Sequence, residues 1–259
     1  MLLDRVTEQE IRHHSATVAL LPLGATEGHG RHLPYGADTF IAAELARRVA
    51  ERYPGAVVVP ALPYGMSWHH EDAPLTLSLS PETLTQVIIE LLEGLVRHGV
   101  TRILIINGHD GNTASIEAAA RRIRRELNVT VAALEEWWTV LPSLVSADTF
   151  SEASGRGGHA GEPETALAMA AVPDLVRVDR ARPPRIEPDV TYTVGPGVKV
   201  FTMVSDHHFE SDYLDASHAT KESGEQAMEG LVDYLVRFLH DAEQTGWTFG
   251  LAARRKTEP

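Results

Sequence analysis

The sequence predicts an α/β fold: a three-layer α/β/α arrangement with a mostly parallel central sheet, and a metal site at the C-terminal edge of its strands. Three observations carry this. Short apolar runs at 16–23, 56–60, 102–106 and 129–134 are nearly uninterrupted, as in strands covered on both faces. The first three are each followed by a loop and then an apolar stripe at helical spacing, the strand–loop–helix order of a parallel sheet. The most unusual loops, rich in Gly, His and carboxylates, follow the first and third runs, at the edge where open α/β sheets bind ligands.

Taken in order, Ala16 to Leu23 is a buried strand bounded by Gly24, and Gly24 to Ala37 is a polar loop of Gly, His and Pro. Asp38 to Arg52 is a helix, with Ile41, Leu45, Val49, Ala42 and Ala46 at helical spacing. Tyr53-Pro54-Gly55 ends it, and Ala56 to Pro60 is the second strand. Ser80-Pro81-Glu82 starts the next helix with a hydroxyl N-cap, a proline at N1 and a carboxylate in the first turn. Its stripe is Leu84, Val87, Ile88, Leu91, Leu92 and Leu95, and Gly99 is the C′ stop. Arg102 to Ile106 is the third strand, Thr113 to Leu127 the helix after it, and Val129 to Leu134 the fourth strand. Pro163 to Val172 and Thr220 to Glu243 are further helices, the last with Leu231, Tyr234, Leu235, Phe238 and Leu239 turned inward. Gly195-Pro196-Gly197 is a turn and Val198 to Val204 alternates as a strand. No repeat, linker or low-complexity tract divides the chain, so one domain is expected over 1–259.

Composition narrows the chemistry. A chain of 259 residues buries roughly three quarters of its surface on folding and needs no staple. The absence of cysteine excludes disulfides, thiolate metal sites and a cysteine nucleophile. A net charge of −13 argues against nucleic acid or an anionic membrane as partner, since both require clustered Lys and Arg. No apolar signal segment follows Met1, no 18-residue apolar run occurs, and Ala252 to Pro259 reads as a solvated tail, so a soluble, cytoplasmic chain is expected. No phosphate-binding glycine pattern follows any strand, which disfavours a nucleotide cofactor. The chain does carry 13 histidines beside 36 carboxylates. Any metal it holds must be bound by imidazole and carboxylate.

Glu27 and His29, one residue apart, point the same way from extended backbone, and Asp38 stands at the following helix start. His109, Asp110 and Asn112 follow the third strand, and a third loop, Gly157 to Thr165, sets His159, Glu162 and Glu164 among glycines at another helix start. Taken singly these are ordinary loop polars: Asp38 a cap, His29 and His32 solvated, Asn107 and Asn112 turn formers. Convergence of three loops on one sheet edge points instead to a site whose donors suit Zn²⁺ or Mn²⁺.

These segments resemble the creatininase family of metal-dependent amidohydrolases. The likeness is carried by Leu21-Pro22-Leu23-Gly24-Ala25-Thr26-Glu27-Gly28-His29-Gly30, by His32-Leu33-Pro34 through Asp38-Thr39, and by Tyr64-Gly65 to Pro74. It continues in Asn107-Gly108-His109-Asp110-Gly111-Asn112, in Gly158-His159-Ala160-Gly161 with Glu164-Thr165, and more weakly in Ala219 to Glu225. It spans nearly the whole chain in the right order. The resemblance implies two divalent ions per subunit, Zn²⁺ and/or Mn²⁺ with Fe²⁺ a further candidate. By position, Glu27 and His109 bind one ion, His29 the other, and Asp38 bridges them. The implied activity is hydrolysis of a small-molecule amide (a cyclic amide, formamide or related non-peptide C–N bond) by a metal-bridging hydroxide.

The sequence departs from the family's namesake enzyme after the motif histidine. Asp110 and Gly111 stand where that enzyme has a tyrosine and a glutamate ligand, so the second ion needs another carboxylate. Glu164 is the choice, as ligand and part of the catalytic apparatus, with Glu162 the rival and an N-cap by position. Leu75 replaces a usual glycine between Pro74 and Thr76. By resemblance, His159 protonates the leaving nitrogen or polarises the carbonyl, and His70 belongs near the substrate, with His69 solvated. Asp110, Trp137 and Trp138 complete the expected substrate contacts, one tryptophan lining the pocket and one in the core. His207 and His208 beside Asp206 are left out as an exposed loop, and His13 and His14 as surface. A homohexamer is implied by resemblance. Two other functions compete: the same metals hydrolysing a C–C bond or ring in a cyclic polyhydroxy ketone, or a metal-stabilised assembly subunit without catalysis.

Overall fold

The structure, a computed structural model, describes residues 1–14, 16–151, 158–181 and 215–249. Four strands, β1 (Val18–Leu23), β2 (Ala56–Val58), β3 (Ile103–Asn107) and β4 (Val131–Leu134), form an all-parallel sheet in the order β2-β1-β3-β4. In register, Val18 lies beside Ala56, Leu23 beside Asn107, and Ile103 beside Val131. β2 stops at Val58, short of Pro60, which has no N–H to give a ladder.

Seven helices lie among the described residues: α1 (Glu8–Arg12), α2 (Ala37–Arg52), α3 (Pro81–Arg97), α4 (Thr113–Leu127), α5 (Trp137–Val140), α6 (Glu162–Ala171) and α7 (Lys221–Gln244). Apolar spacing in the sequence announces neither α1 nor α5. α1 carries a Thr7–Glu10 capping box, whereas α5 is too short to show a period. Ser80 caps α3 by accepting from the Thr83 N–H, and Gly99 follows it with φ +82°. The buried face of α3 is Leu84, Ile88, Ile89 and Leu92, with Leu91 exposed. Packing on α4 as well as on the sheet turns the predicted stripe toward Ile89. The 195–204 turn and strand, Asp206 to His208 and the 252–259 tail lie outside the described residues.

Strand side chains alternate between two cores. Val18, Leu20, Leu104 and Ile106 pack with α2, α6 and α7, whereas Ala19, Leu21, Ile103 and Ile105 pack with α3 and α4. This is the three-layer α/β/α arrangement. The chain steps outward from β1 to β2, then returns past β1 to β3. With crossovers of one hand, that reversal sends α2 to one face and α3 and α4 to the other. The carboxyl ends of β1 and β3 therefore diverge around a crevice, the place such sheets use for ligands. Gly108 closes its floor, because a Cβ there would stand 2.2 Å from the Asp38 carbonyl oxygen. Only glycine lets the start of α2 lie against the end of β3.

Candidate metal centre

Two buried asparagines hold the loops together. The Asn107 amide donates to the carbonyls of His109 (2.6 Å) and Glu135 (2.9 Å), and its oxygen accepts the His109 N–H (3.2 Å). The Asn112 amide donates to the Gly24 carbonyl (3.0 Å) and Asn107 Oδ1 (3.1 Å), while its oxygen accepts from Met66 N (3.0 Å). Loops after all four strands are thus tied at one edge. Both residues are more than the turn formers expected from sequence.

Within this frame two buried imidazoles are aimed by backbone carbonyls. A carbonyl only accepts, so His29 Nδ1 donates to Glu27 O (3.1 Å) and His109 Nε2 donates to Met66 O (3.0 Å). The opposite ring nitrogens face Asp38. His29 Nε2 lies 2.9 Å from Asp38 Oδ1, and His109 Nδ1 lies 3.1 Å from Asp38 Oδ2. Asp38 therefore stands between the rings, one oxygen to each. This orientation, with one nitrogen fixed and the other presented, is how metal-ligating histidines are held.

Glu27 is fully buried, and neither of its oxygens has a hydrogen-bond partner. Its Oε1 faces three imidazole nitrogens, His109 Nδ1 (3.4 Å), His159 Nδ1 (3.5 Å) and His70 Nε2 (3.6 Å). A buried carboxylate without hydrogen bonds is costly unless a cation satisfies it. Four overlapping triads bring donor atoms within 4.8 Å of one another: Glu27–Asp38–His109, His29–Asp38–Glu164, Glu27–His29–His159 and Glu27–His69–His70. The first two use every carboxylate of the cluster and share Asp38 alone. The donor set, all N and O, fits divalent ions of the zinc and manganese type.

The two candidate carboxylates of α6 part company. Gly161 is the N-cap, so Glu162 sits one place inside the helix, not at the cap. It turns away to accept from the Ser151 N–H (3.1 Å) and hydroxyl (2.5 Å). Glu164 faces the cluster, with Oε2 accepting from Ala160 N (2.5 Å) and Oε1 3.9 Å from His29 Nε2. At Gly111 a Cβ would stand 2.0 Å from the Met66 carbonyl and 2.6 Å from His109 Nε2, so that position has no room for a ligand.

Charge follows this geometry. Burial alone would lower the His29 ring, but Asp38, with Glu164 and Glu27 behind it, raises it to about 10. Burial is likewise outweighed at His109, which Glu27 and Asp38 raise to about 9. Asp38, despite burial, is held well below the carboxylate range by the two rings. Burial raises Glu27, and raises Glu164 to about 7. Farther out, burial and the neighbouring rings lower His70 to about 2 and His69 to about 4, and lower His159 as well. Two inner imidazoles that favour their charged form thus flank Asp38, and the outer imidazoles are held neutral.

Above it opens a cavity of 260 Å³ lined by Asp38, Glu164 and His109 and walled by His70, His159, Trp137, Trp138 and Asp110. His159 Nε2 donates to the Gly28 carbonyl (2.7 Å), which turns Nδ1 toward Glu27, and its ring stacks on His70 at 4.0 Å. Trp137 is 3% exposed and Trp138 less buried, the two packed edge to face at 5.4 Å; both line the cavity. Asp110 is exposed at the mouth. His69, expected to be solvated, lies on the wall instead, parallel to the His109 ring at 5.5 Å. The short helical turn Trp68–His70 brings both histidines to one side, a signal too local for periodicity. Of the other expected surface histidines, His13 is exposed and His14 half-buried.

A family model for creatininase, described as creatinine amidohydrolase, matches residues 4–239. The chain is 33% identical over 236 residues to creatinine amidohydrolase of Pseudomonas putida, covering 82% of this chain and 84% of that one. It is 34% identical over 172 residues to the mycofactocin precursor peptide peptidase of Mycolicibacterium smegmatis, covering 64% of this chain and 63% of that one. Solved creatininase structures, one described as the manganese form and one as a Zn–Zn type mutant, superpose with TM-scores of 0.76 and 0.75. Each is 28% identical and covers 93% of this chain and 97% of its own.

Proposed function

This chain belongs to the creatininase family of metal-dependent hydrolases, and from that premise we propose that it uses two divalent ions to hydrolyse a small-molecule amide. The bond is that of a cyclic amide, a formamide or a related non-peptide C–N group. One observation carries the reading: the two oxygens of Asp38 face two different histidines, and each belongs to its own triad of donors. Glu27, Asp38 and His109 would hold one ion, and His29, Asp38 and Glu164 the other. Zn²⁺, Mn²⁺ and Fe²⁺ all accept such donors. When bound, the ions supply Lewis acidity toward a carbonyl and lower the pKa of water.

The protein's own groups do the rest. His159 is kept neutral by burial, with Nε2–H tied to Gly28 and Nδ1 turned inward. Nδ1 takes the proton of the attacking water and returns it to the departing nitrogen as the C–N bond breaks. Trp137, Trp138 and His70 wall the substrate from solvent, and Asp110 meets a polar group at the mouth. A cavity of 260 Å³ seats a compact group at the reacting end of the substrate. The chain acts as one domain in a closed homo-oligomer, a hexamer, which light scattering on the purified protein checks.

Turnover by metal-loaded enzyme of lactams, formamides and cyclic polyhydroxy ketones tests the reaction class. We expect C–N cleavage in the first two sets, abolished by EDTA and restored by Zn²⁺ or Mn²⁺. Turnover of the ketones alone would replace this reading with C–C hydrolysis, and activity untouched by EDTA would remove both.

A further inference from the structure

We infer that His32 is a positioning residue, which holds Ala160 by its carbonyl and through that residue's backbone aims both Glu164 and His159 at the metal cluster. The inference rests on the two-metal reading above. His32 lies in the same loop as Glu27 and His29, is 1% exposed, and reaches across to the start of α6. Its Nε2 stands 3.1 Å from the Ala160 carbonyl and 2.9 Å from Thr165 Oγ1. Since a carbonyl only accepts, Nε2 carries the proton, shared between these two oxygens. The Thr165 hydroxyl in turn donates to the same Ala160 carbonyl (3.3 Å). From behind, the His32 carbonyl accepts the Arg177 N–H (2.8 Å), so the residue is anchored on both sides.

What this holds is an unfavourable conformation. Ala160 is fully buried with φ +55°, a left-handed backbone that a residue with a Cβ adopts only when its surroundings demand it. That conformation turns the Ala160 N–H onto Glu164 Oε2 at 2.5 Å, leaving Oε1 toward His29. It also sets the preceding residue, His159, with its Nε2 on Gly28 and its ring 4.2 Å from that of His29. Glu27, His29 and His32 on one loop thus meet His159 and, in the first turn of α6, Glu164 through a single residue, Ala160. Because Glu164 serves one triad only, loss of this anchor acts on one of the two ions.

The test titrates metal-free protein with Zn²⁺ by calorimetry and follows kcat and KM, for wild type and for His32→Leu, His32→Gln and Thr165→Val. Wild type taking up two ions sustains the two-metal reading; fewer than two removes that reading and this inference with it. In His32→Leu we expect one ion bound as in wild type and the second weakened roughly 10–100-fold, with kcat falling more than KM rises. His32→Gln, which keeps an N–H donor at about the reach of Nε2, should recover most of the loss. Thr165→Val, a small change at the far side of the bond, should weaken the same ion by a smaller factor. Two wild-type affinities in His32→Leu would overturn the inference. So would equal weakening of both ions without recovery in His32→Gln, the signature of a merely structural histidine. Should His32→Leu fail to fold, Thr165→Val decides alone, and unchanged second-ion binding there counts against it.

Discussion

Asp38 and Glu164 look alike in sequence, each an acidic residue in the first turn of a helix, yet their surroundings divide their work. Asp38 lies between two rings that favour its charge, whereas Glu164 is raised by burial and faces only one. Glu164→Gln should therefore lose the second ion and at least about 10²-fold in kcat, the scale of one electrostatic contact in an active site. Glu162→Ala should leave metal stoichiometry intact and cost about 1–3 kcal/mol of stability, because it removes the acceptor of the Ser151 N–H and hydroxyl. Metal analysis beside thermal unfolding distinguishes the two. Leu75 makes a different point: it is 83% exposed with φ +60°, where the family resemblance leads one to expect glycine. Leu75→Asn, which tolerates that backbone, should stabilise by about 0.5–1 kcal/mol in denaturant titration. Glu27, His29 and Asp38 stand close together in sequence, and His109 joined them as a candidate through the family resemblance; the structure brings the four side chains together. The places of His69, His32 and Asn112 were not legible in sequence, since their partners come from elsewhere in the chain and no local pattern announces them.

Element boundaries were readable where a cap opens a long apolar stripe, as in α3 and α7, and not at α1, whose capping box starts a helix of five residues. Ser80-Pro81 and Thr220 open α3 and α7 as their residue types require. Ser80→Ala should cost about 1 kcal/mol, measurable by urea unfolding. The edges of α2 and α7 are joined by Arg48, which donates to Glu44 (2.6 Å), Glu225 (2.6 Å) and Glu229 (3.2 Å). Burial would raise Glu44, but hydrogen bonds from Arg47 and Arg48 pull it below the usual carboxylate range. A carboxylate lowered in the fold stabilises above its unfolded pKa and loses that contribution as pH falls through the folded value. Stability should then decline below about pH 4.5, and Glu44→Gln should flatten that decline. An acid limb identical to wild type would contradict the pairing. Where side chains meet across elements the sequence was a poorer guide, as in the turn of α3 toward Ile89.

At the scale of the whole molecule, the order β2-β1-β3-β4 makes the site, because the reversal between β2 and β3 parts the chain at the ends of β1 and β3. Buried strands and helical periods foretold the parallel sheet and three convergent loops, though not the buried Asn107 and Asn112 bonds that tie the strand ends together. Glu27 is buried with neither oxygen hydrogen-bonded, so on the two-metal reading ion binding and stability would be linked. One ion at 100 times its Kd adds about 2.7 kcal/mol, and EDTA should lower the Tm by roughly 5–10 °C per ion removed. Lower pH should weaken metal binding, since protons compete for the same imidazole and carboxylate atoms. In the proposed centre Asp38 would serve both ions. The most direct measurement is anomalous diffraction at the metal edge from crystals of wild type and Asp38→Ala grown with Zn²⁺. We expect two ions in wild type, each touching Asp38, and neither site occupied in Asp38→Ala. Two fully occupied ions in the variant, or a second wild-type ion lying away from Asp38, would contradict this role.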